Sequence, residues 1–365
     1  MSSVSPRPHL RSIERTNERH ERREAFVCLD RNERASAFPD HLLRDMLASV
    51  SSRDLTAYPD PGPFVSRIAQ SIGYQEDWIV ETAGSDAALR RVLMAYLRPG
   101  GTVVFPHPSY AMYDLYTRVF EGISKPVDYR ADRGLAIDEL LDAIDEGTNV
   151  VIIGNPNQPT GTTMPASTLE LVVTRAAAVG ALCVVDEAYY PFHSETILAA
   201  LQRFKNLIVV RTLSKYPGVA GLRLGYAVGP PHLIKGMIAV RGGSEISGVS
   251  LAIGCYLLDH PDIAVEFHAA VEAARKLLVE RAQQLGFEVP PCAANFQLLR
   301  CPTAIDSDEL TSALKARGYL VKSGFAHPSL QQCLRVTLNG SDIMRPFLAA
   351  LELAAREVAA KDAVG

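Results

Sequence analysis

The sequence of 365 residues has no excess of positive charge and no long apolar run, and both absences exclude classes of protein. Its 37 Lys and Arg residues stand against 41 Asp and Glu residues, which gives a formal net charge of −4. Proteins that bind nucleic acid usually carry a basic patch, so we expect no nucleic-acid partner. Every apolar run ends well short of the roughly 18 residues typical of a membrane-spanning helix, so we expect no membrane partner.

The six cysteines follow no pattern typical of a disulfide framework or a metal site. No two of them form a C-x-x-C pair; they are Cys28, Cys183, Cys255, Cys292, Cys301 and Cys333. No spacing of His, Cys and Asp indicates metal ligands, so we expect no metal. Residues 1–24 lack the apolar segment of a secretory signal, and we expect a mobile arm or an exposed helix there. Reduced thiols without such a signal predict a cytoplasmic protein.

Strand and helix patterns alternate through the middle of the chain. Hydrophobic residues make up 47% and charged residues 21%, and the length exceeds one ordinary core, so we expect two domains. Short apolar runs predict buried strands over 102–106, 149–156, 181–189, 206–214 and 224–229, and helical patterns cover 85–97 and 167–180. This alternation predicts an α/β fold whose mostly parallel central sheet has helices on both faces.

The pattern changes near residue 250. A long amphipathic helix is expected over about 261–286, followed by strand-like pieces at 295–301, 318–323 and 333–339 and a helix over 306–318. We therefore predict a mobile arm (1–24), an N-terminal segment packing with the small domain (25–52), a large domain (53–250) and a small α+β domain (251–365).

Lys215 is the most informative residue, because it lies with Ser214 in a short polar break between two apolar runs. A lysine at a strand end can form a Schiff base with an aldehyde. Arg223 follows in a glycine-flanked segment, and an arginine can bind a phosphate with two hydrogen bonds. An aldehyde and a phosphate on one small molecule describe pyridoxal 5′-phosphate (PLP), which is our cofactor hypothesis.

Other polar residues lie where parallel strands of an open sheet would place a ligand, at the carboxyl ends. Asp186 ends an apolar run and could pair with a pyridinium nitrogen, and Tyr189 could donate to a ring hydroxyl. Gly84, Ser85 and Asp86 begin a predicted helix, whose free N–H groups suit a phosphate. Each of these residues is also common as a cap or a core residue, so the hypothesis depends on their joint occurrence.

Taken together, these segments resemble the class I and II aminotransferases of PLP fold type I, and among them the histidinol-phosphate aminotransferases. The matching segments span most of the chain in family order: AYPDPG (57–62), GSDAAL (84–89), PSYAMY (108–113), NPNQPTG (155–161), VVDEAYYPF (184–192), TLSKYPGVAGLRLGY (212–226) and CLRVTLN (333–339).

The resemblance implies a role for each matching residue. Lys215 would hold the cofactor and move the proton, Asp186 would pair with the pyridine nitrogen, and Tyr189 would contact the ring hydroxyl. Tyr110 would stack on the ring. The phosphate would be bound by Gly84, Ser85, Asp86, Ser214 and Arg223.

The resemblance also implies contacts with the substrate and with a second subunit. Arg335 would bind the substrate α-carboxylate. Tyr58 would reach the cofactor phosphate of the other subunit, which implies a homodimer with shared sites. The partners would be an amino acid or related amine and a 2-oxo acid.

Three positions depart from the family pattern. Gln158 stands where the family has an Asn before Pro-Thr-Gly, so the ring-hydroxyl contact persists, shifts to Asn157 or is lost. Lys322 stands where histidinol-phosphate enzymes carry an Arg that binds the substrate phosphate, and Lys lacks the planar fork. The Asn-Glu-Asn-Pro motif is reduced to Asn32 and its neighbours in RNERAS (31–36), where we expect a substrate contact.

The sequence therefore predicts an aminotransferase whose substrate need not be histidinol phosphate. Two alternatives stay open at this point. One is another PLP reaction on the same scaffold, such as a threonine-phosphate decarboxylase-like, oxidase or lyase reaction. The other is a non-catalytic binding protein on the same fold, since a fold does not fix a function.

Overall fold

The computed structural model describes residues 4–13, 22–130 and 134–362. Within these ranges the strands are β1 (Val27–Cys28), β2 (Ile79–Thr82), β3 (Thr102–His107), β4 (Ile123–Asp128), β5 (Thr148–Gly154), β6 (Leu182–Asp186), β7 (Leu207–Thr212), β8 (Gly225–Val228), β9 (Phe296–Arg300), β10 (Tyr319–Leu320) and β11 (Cys333–Thr337).

The α-helices are α1 (Asp40–Ala48), α2 (Ser52–Thr56), α3 (Gly62–Ile72), α4 (Gly84–Tyr96), α5 (Met112–Val119), α6 (Ile137–Ala143), α7 (Ala166–Ala178), α8 (Pro231–Ala239), α9 (Gly248–Asp259), α10 (Asp262–Gln284), α11 (Ser307–Ala316) and α12 (Ser341–Asp362). Short 3-10 turns occur at Pro8–Leu10, Arg23–Ala25, Glu76–Trp78, Leu198–Gln202, Ala220–Leu222 and Pro328–Leu330. No helix in the described part of the chain has both the length and the apolar character needed to cross a bilayer.

A seven-stranded sheet in the order β2-β8-β7-β6-β5-β3-β4 forms the centre of the larger part. The pairs β3/β4, β3/β5, β5/β6 and β6/β7 are parallel, whereas β8 is antiparallel to both of its neighbours. The predicted α/β fold with a mostly parallel sheet is confirmed.

Both faces of this sheet are buried, because successive side chains of a strand point to opposite sides. In β5, Val150 and Ile152 join the core on the side of α4 and α8, while Val151 and Ile153 join the core on the side of α3 and α7. All four are at most 1% exposed. Burial on both faces explains why this strand is a continuous apolar run.

The C-terminal part has a core of its own. β9 and β11 pair antiparallel, and β1 pairs parallel with β10, so the strand of the N-terminal segment joins this part of the molecule. One face of α10, including Phe267, Val271 and Leu278, packs in this core with side chains of α11 and α12. Ile263, in the first turn of α10, packs instead in the core of the larger part, so this helix spans the junction.

Two strands of the large sheet have no counterpart among the strand predictions, and both lie at its edges. β2 has only four residues, and β4 contains Lys125 and Pro126. Edge strands tolerate Pro and charged residues because one side of the strand needs no partner, so they lack the apolar signal of the central strands. Of the predicted arm, residues 1–3 and 14–21 lie outside the described ranges; within 4–13, Arg7 contacts Glu121 at 3.4 Å.

Candidate active site

A cavity of about 420 Å³ lies at the carboxyl ends of the central strands, beside the first turn of α4. We call it the cofactor cavity. Its lining includes eleven of the predicted site residues: Asn32, Ser85, Asp86, Tyr110, Gln158, Asp186, Tyr189, Ser214, Lys215, Arg223 and Arg335. Four predicted residues do not line it, and they are Gly84, Asn157, Tyr58 and Lys322.

Lys215 follows β7 and is partly buried at the wall of this cavity. Its Nζ donates a hydrogen bond to the carbonyl oxygen of Arg31 at 2.9 Å. Burial, and then the positive charges of Arg335 and Arg223, lower the pKa of Lys215 to about 8, although Glu33 opposes them. At pH 7 roughly a tenth of this amine is therefore unprotonated, far more than at the ordinary lysine pKa, and the unprotonated form is the one that attacks a carbonyl carbon.

Asp186 is the last residue of β6 and is 6% exposed. Its Oδ2 accepts a hydrogen bond from the Tyr113 hydroxyl at 3.0 Å, and its Oδ1 accepts from the Ala188 N–H at 3.1 Å. Burial nevertheless raises the pKa of Asp186 to about 6. Among the described residues no cation forms a salt bridge with it, so this carboxylate suits a ligand that carries a buried positive charge.

Tyr113 is a site residue that the sequence analysis missed. It is 2% exposed, and its ring meets the ring of Tyr110 edge-on, with centroids 5.8 Å apart. Tyr110 itself donates to Asp86 at 3.2 Å, which fixes its ring at the cavity wall. The sequence did contain a signal for it: Tyr113 is the second tyrosine of PSYAMY and lies one helical turn after Tyr110, so the two side chains are expected on the same face.

The first turn of α4 and the segment after β7 line the end of the cavity where the sequence predicts a phosphate, which we call the phosphate end. Gly84 begins α4 with a φ of +81°, and a Cβ there would lie 2.9 Å from Nη2 of Arg223. The other terminal nitrogen of Arg223 donates to Ser214 Oγ at 3.4 Å. Thr212, another residue missed from sequence, donates to Ser214 Oγ at 3.0 Å and lines the cavity. A guanidinium, hydroxyls and a helix N-terminus together suit a phosphate.

The Asp86 side chain does not offer a donor to that phosphate. Its two carboxylate oxygens accept hydrogen bonds from the hydroxyls of Tyr110 and Tyr116, at 3.2 and 2.7 Å. Only the backbone N–H of Asp86, in the first turn of α4, can serve an anion. The phosphate contact that we expect of Asp86 would therefore come from its main chain.

Tyr189 and Asn32 form a hydrogen-bonded pair in the wall of the cavity. The Asn32 Nδ2 donates to the Tyr189 hydroxyl oxygen at 2.8 Å, which leaves the tyrosine proton available to a ligand. Asn32 Oδ1 is buried without a hydrogen-bond partner. Burial raises the pKa of Tyr189 to about 12, so the hydroxyl stays protonated. An unsatisfied buried acceptor is costly and fits a donor on a bound molecule.

Asn157 and Gln158, the two amides that the sequence left as alternatives for the ring-hydroxyl contact, lie in different surroundings. Asn157 is 1% exposed, and its side chain is fully engaged, donating to Pro108 O at 3.0 Å and Thr160 Oγ1 at 2.8 Å and accepting from Ser109 at 2.8 Å. These contacts hold the loop, and Asn157 does not line the cofactor cavity. Gln158 lines the cavity.

Arg335, in β11, lies 6% exposed between the cofactor cavity and a second cavity. Its guanidinium donates to the carbonyl oxygen of Asp30 at 2.6 Å, and its Nε is buried without a partner. Within the described ranges no carboxylate side chain forms a salt bridge with Arg335. A buried guanidinium without a counter-ion fits an anionic ligand.

Lys322 and Tyr58 lie away from the cofactor cavity. Lys322 is exposed and lines the second cavity, and its backbone pairs with that of Arg335. Tyr58 is 92% exposed. Neither side chain reaches the cofactor cavity within one subunit.

Comparison with known proteins agrees with this geometry. Residues 29–348 match the family described as aminotransferase class I and II. The chain is 34% identical over 335 residues to histidinol-phosphate aminotransferase 1 of Burkholderia lata, covering 90% of this chain and 92% of that protein. It is 30% identical over 317 residues to the histidinol-phosphate aminotransferase of Thermoanaerobacter sp. strain X514, covering 86% and 89%.

Solved structures share the fold. The histidinol-phosphate aminotransferase of Sinorhizobium meliloti in complex with pyridoxal-5′-phosphate superposes with a TM-score of 0.85 at 24% identity, covering 98% of this chain and 99% of that one. Thermus thermophilus aspartate aminotransferase with maleate gives a TM-score of 0.81 at 20% identity, covering 98% and 100%.

Proposed function

The chain belongs to the class I and II aminotransferases and is an aminotransferase with pyridoxal 5′-phosphate as its cofactor, and we propose that it moves an amino group between an α-amino acid and a 2-oxo acid. The observation that carries this choice of substrate is the buried guanidinium of Arg335, which has no carboxylate partner among the described side chains. A substrate α-carboxylate would supply that partner with two parallel hydrogen bonds.

We assign the chemistry at the ring to three residues. When bound, the cofactor supplies an electron sink for charge that develops at the substrate Cα. Asp186 would hold a proton on the ring nitrogen, because the buried carboxylate and a ring N–H⁺ stabilise each other. Lys215 Nζ would accept the proton from the substrate Cα, and its low pKa suits that role. Tyr189 would donate its hydroxyl proton to the ring oxygen.

At the phosphate end we assign binding to main-chain N–H groups of the first turn of α4, with Ser214 and Arg223. The positive end of the helix dipole and the guanidinium act on the same anion. This assignment leaves Arg335 for the substrate.

We further propose a homodimer in the cytoplasm. Tyr58 is 92% exposed, and Leu55, just before it, is 71% exposed, which fits side chains that complete the site of a second subunit. All six cysteines are free, as in a reducing compartment. Sedimentation equilibrium tests the dimer, and Tyr58→Phe tests the shared site through its affinity for PLP.

The substrate assignment is tested with the purified enzyme and a panel of amino acids, each paired with a 2-oxo acid. Formation of the new amino acid and oxo acid in equal amounts supports transamination. Release of CO₂ without amino transfer would identify a decarboxylase instead.

Histidinol phosphate belongs in the same panel, and we expect it to be a poor substrate. A phosphate monoester carries about −1.5 to −2 charges at neutral pH. The resemblance to histidinol-phosphate aminotransferases puts Lys322, a single hydrated ammonium without a planar fork, where those enzymes carry a phosphate-binding arginine. A kcat/KM at or above about 10⁴ M⁻¹s⁻¹ with histidinol phosphate alone would contradict this expectation.

A further inference from the structure

The hydroxyl of Tyr113 contacts Asp186, the residue that would pair with the ring nitrogen of the cofactor. It donates to Asp186 Oδ2 at 3.0 Å, while the N–H of Ala188 donates to Oδ1 at 3.1 Å. Two donors from different segments thus fix the orientation of the carboxylate. A carboxylate oxygen can accept more than one hydrogen bond, so Asp186 keeps the capacity for a donor on a bound molecule.

Packing holds the ring of Tyr113 in place. Tyr113 lies in the first turn of α5 and is 2% exposed. Its ring meets the ring of Phe105 in β3 edge-on, with centroids 6.1 Å apart, and the ring of Tyr110 in the same manner at 5.8 Å. A buried aromatic ring packed against two others has little freedom to change rotamer. The hydroxyl is therefore presented to Asp186 from a fixed position.

Gly154 leaves room for this hydroxyl. It is the last residue of β5 and lies beside Asp186 in the register of the parallel pair β5/β6. A Cβ at this position would lie 3.1 Å from the Tyr113 hydroxyl oxygen, which is closer than ordinary van der Waals contact. A larger residue would therefore crowd the hydroxyl. Three elements, α5, β5 and β6, together build the contact between Tyr113 and Asp186.

Tyr113 stabilises the charged form of Asp186 against the effect of burial. Burial, and then the charge of Asp186, raise the pKa of Tyr113 far above its ordinary value, so the phenol stays a neutral donor. Burial also raises the pKa of Asp186 to about 6, and the hydrogen bond from Tyr113 is the largest cause that opposes this rise. A hydrogen bond donated to a carboxylate stabilises its charged form. Tyr113 thus favours the anion that burial disfavours.

The charge of Asp186 matters because one proton would be shared between its carboxylate and a ring nitrogen. A stabilised carboxylate anion leaves that proton on the nitrogen, whereas a carboxyl group buried without donors keeps the proton for itself. A protonated ring nitrogen withdraws electrons more strongly than a neutral one. The hydrogen bond from Tyr113 to Asp186 therefore bears directly on the electron sink that the cofactor supplies.

We propose that Tyr113 is a positioning residue for Asp186, whose hydroxyl keeps the carboxylate ionised and oriented so that the shared proton stays on the ring nitrogen. This inference rests on the proposed function, in which Asp186 pairs with that nitrogen. The matched probes are PLP and an analogue in which a C–H group replaces the ring nitrogen. The ratio of their Kd values for the cofactor-free enzyme isolates the contact at the nitrogen, because both compounds share the phosphate and the aldehyde.

The wild-type enzyme should prefer PLP to the analogue, and Tyr113→Phe should lower this preference roughly tenfold, the factor that corresponds to a charge-assisted hydrogen bond of about 1.5 kcal/mol. Tyr96→Phe is the matched control and should keep the wild-type preference. Tyr96 packs against the same core as Tyr113 and donates its hydroxyl to the carbonyl oxygen of Leu233 at 2.6 Å, but it does not line the cofactor cavity.

Nitrogen NMR of the enzyme loaded with PLP that carries ¹⁵N in the ring gives a second readout. The ring nitrogen should be protonated in the wild type and in Tyr96→Phe, and its signal should shift towards the unprotonated form in Tyr113→Phe. If Tyr113 only supported the fold, its loss would weaken the binding of PLP and of the analogue equally and would leave this signal unchanged. Either of these results in Tyr113→Phe would overturn the proposal.

Gly154→Ala provides a second variant if Tyr113→Phe does not fold, because it crowds the hydroxyl without removing it. Its preference for PLP should also fall, and a wild-type preference in this variant would count against the proposal in the same way.

Asp186→Asn separates this proposal from the function on which it rests. If Asp186→Asn loses the preference for PLP while Tyr113→Phe retains it, the role of Tyr113 is refuted and the pairing of Asp186 stands. Equal affinity of the wild type for both compounds would refute the pairing and the role of Tyr113 together. Lack of transamination with every amino acid of the panel would refute the proposed function without changing these affinities.

Discussion

Substituting Gly84 by Ala should have two effects: strain in the backbone, and weaker binding of the cofactor phosphate. Gly84 begins α4 with a φ of +81°, and a Cβ at this position would lie 2.9 Å from Nη2 and 3.4 Å from Cζ of Arg223. The guanidinium must therefore move away from the first turn of the helix. Gly180→Ala is the matched control, because Gly180 has a φ of +72° and no neighbouring atom within 4 Å of the position that a Cβ would take.

The two effects have different sizes and different readouts. Left-handed backbone at an Ala costs about 1–2 kcal/mol, so both variants should lose that much free energy of unfolding in the cofactor-free state. Only Gly84→Ala should also weaken the contact of Arg223 with the cofactor phosphate. One hydrogen bond between charged groups contributes about 1.5–3 kcal/mol, so the Kd for PLP should rise roughly 10- to 150-fold.

Urea denaturation of the cofactor-free proteins measures the first effect, and fluorescence titration with PLP measures the second. Gly180→Ala should bind PLP as the wild type does. Equal PLP affinity in Gly84→Ala and Gly180→Ala would show that Arg223 does not bind the phosphate from its observed position.

The remaining predictions concern the ring, the substrate and pH. Lys215→Ala should abolish the covalent PLP adduct that borohydride traps in the wild type, and an adduct at the same stoichiometry would show that another amine carries the cofactor. Asp186→Asn would leave the cation of the ring without its buried carboxylate partner, which should cost about 3–5 kcal/mol of stabilisation. We therefore expect kcat to fall roughly 200- to 5,000-fold. A near-normal kcat would contradict the assignment. Arg335→Ala should lower kcat/KM for α-amino acids by about 2–5 kcal/mol, or roughly 30-fold or more, with unchanged PLP content, and loss of PLP would instead give Arg335 a role in cofactor binding or folding. The pKa of Lys215 is lowered from 10.5 to about 8 in the folded state, so the folded protein binds fewer protons and the cofactor-free enzyme should gain stability as pH rises between these values; urea denaturation should show that the gain is absent in Lys215→Met.

The central strands, and the positions of Asp186 and Lys215 at one edge of the sheet, were predictable because their signals are local. Asp186 and Lys215 follow apolar runs whose direction in a parallel sheet brings their ends to one edge. The first turn of α4 lies at the same edge, so a phosphate site at Gly84 could be expected from the helix pattern alone.

The different positions of Asn157 and Gln158 were not predictable, because they depend on contacts from distant segments. The partners of the Asn157 side chain include Ser109 and Pro108, far from it in sequence. Gln158 lines both cavities instead. Tyr113 was missed for a similar reason, since its contact with Asp186 exists only once α5 packs on the sheet.

We expect Arg335 to connect substrate binding to the basicity of Lys215. Its positive charge is the largest electrostatic cause, after burial, of the lowered pKa of Lys215. A carboxylate bound to Arg335 would offset that charge and raise the proton affinity of the nearby amine. The proposed role of Lys215 is to accept a proton when a substrate is present, and we expect it to be a stronger base beside a bound carboxylate than in the ligand-free protein.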